Sequence, residues 1–305
     1  MKELLVEIKK RSGFVSIVGA PNAGKSTLLN TLIGQKLSIV THKVQTTRTS
    51  VKGILIENHS QIIFIDTPGI FQANKNLEVA IVSAAMNGKK DADVVLFIVD
   101  CTKGLNNEIL FVIEKLKNIK IPVILVINKI DLINKEKLLF LIDLYKDKIS
   151  FKEIFMISAV KKNGIEPLTK WLSLNIPISE WLFPEDQLTD IPVKQLASEF
   201  TREVIFKYIH QEIPYSLSVE NETWEEKKDR SIKIDQIIFV ETENQRKILL
   251  GQSGAKIKEI SIQARNEIGK FLGVKVHLFL FIKVRKNWLS DPERYHAMGL
   301  EYIKK

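Results

Sequence analysis

One cysteine, Cys101, stands in 305 residues, so no disulfide can form within the chain. That usage fits a reducing compartment. The five histidines show none of the close spacings that metal sites use. Long apolar runs are missing too: the longest extend about seven residues, against the roughly twenty needed to cross a bilayer. The stretch Met1-Lys2-Glu3-Leu4-Leu5-Val6-Glu7-Ile8-Lys9-Lys10 mixes charge into any signal core, so no secretion signal or transit peptide is evident. There is no short-period repeat and no low-complexity segment. The rest is ordinary globular composition, 45% hydrophobic and 27% charged, with length enough for two cores.

Acidic balance is also lacking. The formal net charge is +9, and residues 245–286 alone hold ten Lys/Arg against Glu259 and Glu267, a net +8. That concentration predicts a polyanionic partner for the C-terminal part.

What is present begins at Gly19-Ala20-Pro21-Asn22-Ala23-Gly24-Lys25-Ser26, which reads G-x-x-x-x-G-K-S/T. The apolar run Phe14–Val18 precedes it as a buried strand, and Thr27–Ile33 follows as a helix that stops at Gly34. A strand, a glycine loop and a helix N-terminus turn consecutive N–H groups toward an anion. Gly19 and the N–H groups of Ala23, Gly24 and Thr27 belong to that cradle. Lys25 would reach the β- and γ-phosphates, and the Ser26 hydroxyl would hold Mg²⁺.

Three further segments follow in the order a GTPase needs. Asp66-Thr67-Pro68-Gly69 ends the run Ile62–Ile65, placing a carboxylate for Mg²⁺ and a Gly69 N–H for the γ-phosphate. Asn128-Lys129-Ile130-Asp131 ends Val123–Ile127, a run apolar throughout like a central parallel strand. The Asp131 carboxylate accepts from both guanine N1–H and its amine, a pair adenine does not offer. Asn128 supports the loop and the base, and the Lys129 stem packs along the ring. Ser158-Ala159 ends Ile154–Ile157, with the Ala159 N–H in reach of guanine O6. All lie at C-terminal strand ends, where open α/β sheets bind ligands. GTP is the expected ligand and GTP hydrolysis the expected reaction.

Between Lys25 and Asp66 lies Thr41-His42-Lys43-Val44-Gln45-Thr46-Thr47-Arg48-Thr49, where Thr46 and Thr47 are both candidates to complete the Mg²⁺ shell. Ile70 stands where Ras-type enzymes carry the glutamine that orients water, so hydrolysis is organised otherwise or is slow. One route runs through Asn22, whose amide oxygen could ligate K⁺ where an arginine finger would act; in the plainer reading it caps the loop.

The βα pattern ends near Trp171-Leu172, giving a G domain over 1–174 and an ordered linker over 175–190 in which Trp181, Leu182 and Phe183 dock. Residues 191–290 then read helix (Val193–His210), strands (Tyr215–Glu220 and Ser231–Glu241), a short helix (Gln245–Leu250), Gly251-Gln252-Ser253-Gly254, a second helix and a strand ending at Val284. That α-β-β-α-α-β order with G-x-x-G between the last helices is a type II KH domain, with Lys256 and Lys258 beside the loop and an apolar groove for about four unpaired bases. Residues 291–305 form a tail. The fold class is an α/β P-loop GTPase domain, mostly parallel sheet with helices on both faces, followed by an α+β KH domain.

With both halves read, the chain resembles the Era family of bacterial GTPases over nearly its whole length. The resemblance rests on Pro21–Asn30, Gln45-Thr46-Thr47-Arg48, Asp66–Ile70, Asn128–Asp131, Pro184–Asp190, Ile213-Pro214-Tyr215-Ser216-Leu217 and Lys256–Ile260. It favours Thr47 as the Mg²⁺ ligand. It implies a factor of 30S ribosomal subunit maturation that binds the 3′ end of 16S-type rRNA through the KH groove, with no DNA partner. It implies a cytoplasmic protein that can associate peripherally with the inner membrane. Two departures stand out: Gln252-Ser253 replaces the family's lysine and small residue, and Phe71 follows Ile70 where a histidine is frequent. The competing readings are a membrane- or protein-directed switch with a lipid-binding basic region, and a nucleotide kinase, for which no second phosphate motif is present.

Overall fold

The computed structural model describes residues 9–41, 50–68, 92–117, 119–209 and 217–286. These fall into two compact units. The first holds residues 9–37, 50–68, 92–117 and 119–190; the second holds 38–41, 191–209 and 217–286.

The first unit is a six-stranded sheet in the order β2-β3-β1-β4-β5-β6. Its strands are β1 (Arg11–Val18), β2 (Val51–Glu57), β3 (Ser60–Asp66), β4 (Val94–Asp100), β5 (Val123–Asn128) and β6 (Glu153–Met156). All neighbours are parallel except β2, which runs antiparallel to β3. Val95, Phe97 and Val99 of β4 join Val123, Leu125 and Ile127 of β5 in one core cluster with α2 (Asn107–Leu116) and α3 (Lys135–Lys146). The alternate side chains Val94, Leu96, Ile98, Ile124 and Val126 are equally buried, as strands covered on both faces require. Two more helices, α1 (Lys25–Ile33) and α4 (Ile165–Asn175), contact β2 and β3.

Local sequence sets the helix ends. The Asn106 side chain accepts from the Ile109 N–H and starts α2, and Asn134 does the same for α3 through Lys137. Gly34, at φ 76°, closes α1. Cys101 is buried, with its Sγ 3.1 Å from the Lys129 carbonyl oxygen. Burial pushes its thiol up to about 11, with the Asp100 carboxylate adding to the shift.

Residues 175–190 are bonded into the first unit rather than strung between two. The Gln61 side chain, fully buried, accepts from the N–H groups of Leu182 and Phe183 and donates to the Phe183 carbonyl. The Trp181 indole donates to the His59 carbonyl, Thr189 Oγ1 donates to Lys52 O, and Lys52 pairs with Asp190 at 2.7 Å.

The second unit is a three-stranded sheet, β7 (Ser218–Glu226), β8 (Ile232–Val240) and β9 (Val276–Val284). Strands β7 and β8 are antiparallel; β8 and β9 are parallel. Helices α5 (Val193–Tyr208), α6 (Glu243–Leu250) and α7 (Ala255–Leu272) complete it. A capping box between Thr242 and Gln245 starts α6. Strand β7 runs to Glu226, six residues past the end expected from sequence, because a bulge at Asn221–Thr223 lets pairing resume. Residues 38–41 belong here: the Val40 N–H donates to the buried Glu203 carboxylate at 3.2 Å. No helix among the described residues is long and apolar enough to cross a membrane.

Gln61→Leu keeps the side-chain volume but strands two N–H groups and a carbonyl, a penalty of about 2–4 kcal/mol. Limited proteolysis of the native variant should show faster cleavage within residues 180–190. An unchanged cleavage rate there would remove Gln61 as the clamp.

Candidate nucleotide and nucleic-acid sites

Because β1, β3, β4, β5 and β6 run parallel, their C-terminal ends gather along one edge. The edge brings together the loop after Val18, Asp66, Asp100, Asn128 and the Ser158-Ala159 turn.

Two glycines of the first loop are required by space. A Cβ on Gly19 would lie 2.3 Å from the Ile98 carbonyl oxygen, and one on Gly24 would lie 2.2 Å from Asn128 Nδ2. Gly24 also sits at φ 102°, and it caps α1 with no side-chain bond, leaving that helix start to backbone N–H groups. Asn22 adopts the left-handed conformation at φ 62°. Lys25 is buried, its Nζ donating to the carbonyls of Gly19 at 3.2 Å and Ala20 at 2.9 Å. Burial lowers its pKa to about 8, against the opposing pull of the Asp66 carboxylate.

The Ser26 hydroxyl donates to Asp66 Oδ2 at 2.8 Å, and Asp66 has no exposed surface. A hydroxyl beside a buried carboxylate is a hard-oxygen donor set that fits Mg²⁺, which takes one or two protein oxygens plus phosphates and waters. No group of three or more His, Cys, Asp or Glu among the described residues could hold a metal alone. Thr67 Oγ1 donates to Ile17 O at 2.7 Å and ties the end of β3 to β1.

Asn128 is the joint of the site. Its Nδ2 donates to Ala23 O at 2.9 Å and its Oδ1 accepts from the Ala159 N–H at 3.0 Å. The Ala159 N–H is therefore already engaged, and a purine oxygen would reach it only as a second, shared acceptor. Lys129, at φ 65°, sends Nζ to Asn22 O at 3.0 Å and to Asp100 at 2.6 Å. Burial works to raise the Asp100 carboxyl pKa, but bonds from Lys129 and Thr102 outweigh it and hold the pKa below the usual range. Asp131 stands exposed in the 3-10 turn Ile130–Leu132.

The sequence motifs did not reveal Asp100, Thr102 or Thr31, whose Oγ1 donates to Ala159 O at 2.9 Å. Asp100 carried one signal, an acid ending an apolar strand just as Asp66 does. Thr46, Thr47, Gly69, Ile70 and Phe71 lie outside the described residues, as do residues 213–216.

In the second unit Gly251-Gln252-Ser253-Gly254 joins α6 to α7. Gly251, at φ 70° and ψ −178°, has backbone angles open only to glycine, and a Cβ there would lie 2.6 Å from Lys256 Cβ. Gly254 caps α7 at φ 78°, again with no side-chain bond. Gln252 and Ser253 are exposed, Lys256 is half-buried and Lys258 exposed.

Side-chain NMR of the ligand-free chain should find Lys25 titrating near 8, well below a surface lysine. A midpoint above about 10 would show that burial does not govern this ammonium.

Residues 14–129 match the family described as 50S ribosome-binding GTPase, and residues 212–289 match the KH domain family. GTPase Era of Bradyrhizobium diazoefficiens is 50% identical over 294 residues, 96% of each chain. GTPase Era of Brucella suis biovar 1 is 49% identical over 292 residues, 96% of this chain and 94% of the relative. A crystal structure of Era in complex with MgGDPNP and nucleotides 1506–1542 of 16S ribosomal RNA superposes with TM-score 0.90 at 39% identity, covering 95% of this chain and 99% of that one. A variant of Aquifex aeolicus Era bound to GDP.AlF4- gives the same TM-score and identity. With half of its residues shared along almost the full length of both partners, and with a nucleotide loop and a KH loop in the same order, this chain belongs to the GTPase Era family.

Proposed function

We propose that the chain is a GTP-hydrolysing, RNA-binding factor that acts in small-subunit ribosome assembly, with the KH unit holding the 3′ end of 16S-type rRNA. One observation carries the reading: a phosphate loop joined through Asn128 to a base-selecting turn shares a chain with a glycine-framed KH loop. The relative bound to MgGDPNP and to 16S nucleotides 1506–1542 supports both halves. The family model worded for the 50S subunit covers only residues 14–129, the nucleotide half, and so bears on GTP rather than on which RNA is held. The same role places the chain in the cytoplasm.

In this reading Gly19 and the N–H groups of Ala23, Gly24 and Thr27 cradle the phosphates. Lys25 neutralises the β- and γ-oxygens, and Ser26, Asp66 and Thr47 hold Mg²⁺. When bound, Mg²⁺ offsets negative charge on the phosphates as it develops. Gly69 reads the γ-phosphate. Asp131 selects guanine, Lys129 packs along it, and Asn128, Ser158 and Ala159 shape the pocket. With isoleucine at position 70, Asn22 would hold a K⁺ ion that supplies the positive charge an arginine finger brings elsewhere. Gly251–Gly254, Lys256 and Lys258 grip the RNA backbone. The chain passes from the first unit to the second at residues 37–38, just before Thr46 and Thr47, and that crossing can make RNA affinity depend on the bound nucleotide.

Calorimetry tests the nucleotide half. Asp131→Ala should weaken GTP binding about tenfold to a hundredfold while leaving weak ATP binding unmoved. Equal loss for both nucleotides would remove Asp131 as the selector. At pH 8 wild-type binding of GTP should take up about half a proton, because triphosphate restores the Lys25 charge. Where Lys25 of the free chain titrates near 8, binding with no proton uptake would show that Lys25 does not meet the phosphates. GTPase rates in KCl should exceed those in NaCl at equal ionic strength, and equal rates would end the Asn22 assignment. For the RNA half, the wild-type chain should prefer a single strand from the 16S 3′ end over a scrambled one and over anionic vesicles.

A further inference from the structure

Lys129 stands in the left-handed region at φ 65°, as Asn22 does at φ 62°. That backbone is costly for a lysine and persists only where neighbours enforce it. The enforcing neighbours are Asp100, which ends β4, and the two residues after it. Asp100 lies opposite Asn128 in the β4–β5 register, and the Cys101 N–H donates to Asn128 O at 3.1 Å. The Cys101 thiol stays protonated at neutral pH, because burial pushes its pKa up to about 11, and donates to Lys129 O at 3.1 Å. Asp100 Oδ2 takes the Lys129 ammonium at 2.6 Å, while Oδ1 accepts from the N–H and the hydroxyl of Thr102 at 2.9 and 2.7 Å. The same ammonium reaches Asn22 O at 3.0 Å. The lysine stem is thereby fixed at its root by Cys101 and at its tip by Asp100 and Asn22.

We infer that Asp100 is a positioning residue for guanine recognition: through Lys129 it holds the stem along which the base lies and the turn that carries Asp131. The inference rests on the GTP-binding reading above, in which Lys129 packs along guanine and Asp131 selects it. Asp131 lies in the 3-10 turn Ile130–Leu132, which the Leu132 N–H closes onto Lys129 O at 2.9 Å. That carbonyl is the one the Cys101 thiol holds, so a shift of Lys129 moves the selector. Without the Asp100 carboxylate the ammonium loses its counter-charge, and a long lysine stem regains its rotamers. Guanine then has to order the stem as it binds, and Asp131 meets its two donors off line. An ion pair that served the fold alone would change stability when broken and leave the base preference where it was.

The test uses the full chain and calorimetry with GDP and IDP, whose hypoxanthine base keeps N1–H and O6 but lacks the amine that Asp131 also takes. The wild-type chain should bind GDP about tenfold or more tightly than IDP. Asp100→Asn should weaken GDP about tenfold and shrink the GDP-to-IDP preference to about threefold or less, because a displaced carboxylate meets the amine poorly. In a Lys129→Met background the same change should cause no further loss of GDP affinity, since Asp100 acts only through that ammonium. An unchanged preference in folded Asp100→Asn overturns the inference, whatever happens to the unfolding midpoint, and so do losses that add in the double variant. Should Asp100→Asn not fold, Thr102→Val removes one bond that aims the carboxylate, at an exposed position. It should lower the preference in the same direction, and an unmoved preference there overturns the inference too. A wild-type chain that binds GDP and IDP equally removes Asp131 as the selector, and this role of Asp100 falls with it.

Discussion

The side-chain amide of Asn128 holds the nucleotide edge together. It sits at the end of a strand buried on both faces, so neither its oxygen nor its nitrogen can turn to water. The nitrogen fixes the carbonyl of Ala23 in the phosphate loop, and the oxygen fixes the N–H of Ala159 in the next loop but one. Gly24 lies so close to that nitrogen that even a methyl group would displace it. Two motifs about a hundred residues apart are thus one packed object. Asp131 stands three residues further on, across a left-handed Lys129 whose ammonium is bound to the Asn22 carbonyl and to Asp100. The position of Asp131 is therefore tied to the conformation of the phosphate loop as well as to its own turn.

Two ammonium groups at this edge, Lys25 buried and Lys129 half-buried, are handled in opposite ways. Lys129 meets the Asp100 carboxylate at hydrogen-bond distance, and the carboxylate stays ionised despite its burial. Such a pair is self-sufficient and serves structure. Lys25 meets two backbone carbonyls and feels Asp66 more distantly, so desolvation dominates and its charge weakens near pH 8. An ammonium held this way gains most from an arriving anion, because the anion supplies the counter-charge that the protein withholds. Strain and electrostatics point the same way: a glycine-capped helix start and an under-compensated lysine converge on one volume.

Much of this was legible in the sequence because it depends on local rules. Apolar runs that end in Asp66, Asn128 and Ser158 became parallel strands with their ends aligned, and Gly34 set the end of α1 through its own conformation. What escaped was carried by residues whose meaning is only spatial. Gln61 reads as a polar interruption in an apolar strand, yet its buried amide binds residues 182–183 more than a hundred positions away. Composition makes 175–190 look like a connection, while those hydrogen bonds make it part of the first unit. The Ala159 N–H reads as open to a ligand until Asn128 is seen to occupy it. Residues 38–41 look like the approach to a switch loop, but Glu203 draws them into the second unit.

The two proposed phosphate-contacting loops use one device at different depths. Gly24 caps α1 and Gly254 caps α7, both left-handed and both without a side-chain cap, so each helix begins with N–H groups available to an anion. Around Gly24 the walls are buried: Lys25, Asp66 and Asn128 exclude water, and each contact strengthens as the dielectric falls. Around Gly254 the neighbours Gln252, Ser253 and Lys258 are exposed, so phosphate contacts there are screened by salt and carry little base selectivity. A shallow loop of that kind can position RNA but cannot by itself choose it. Choice must come from contacts beyond the loop.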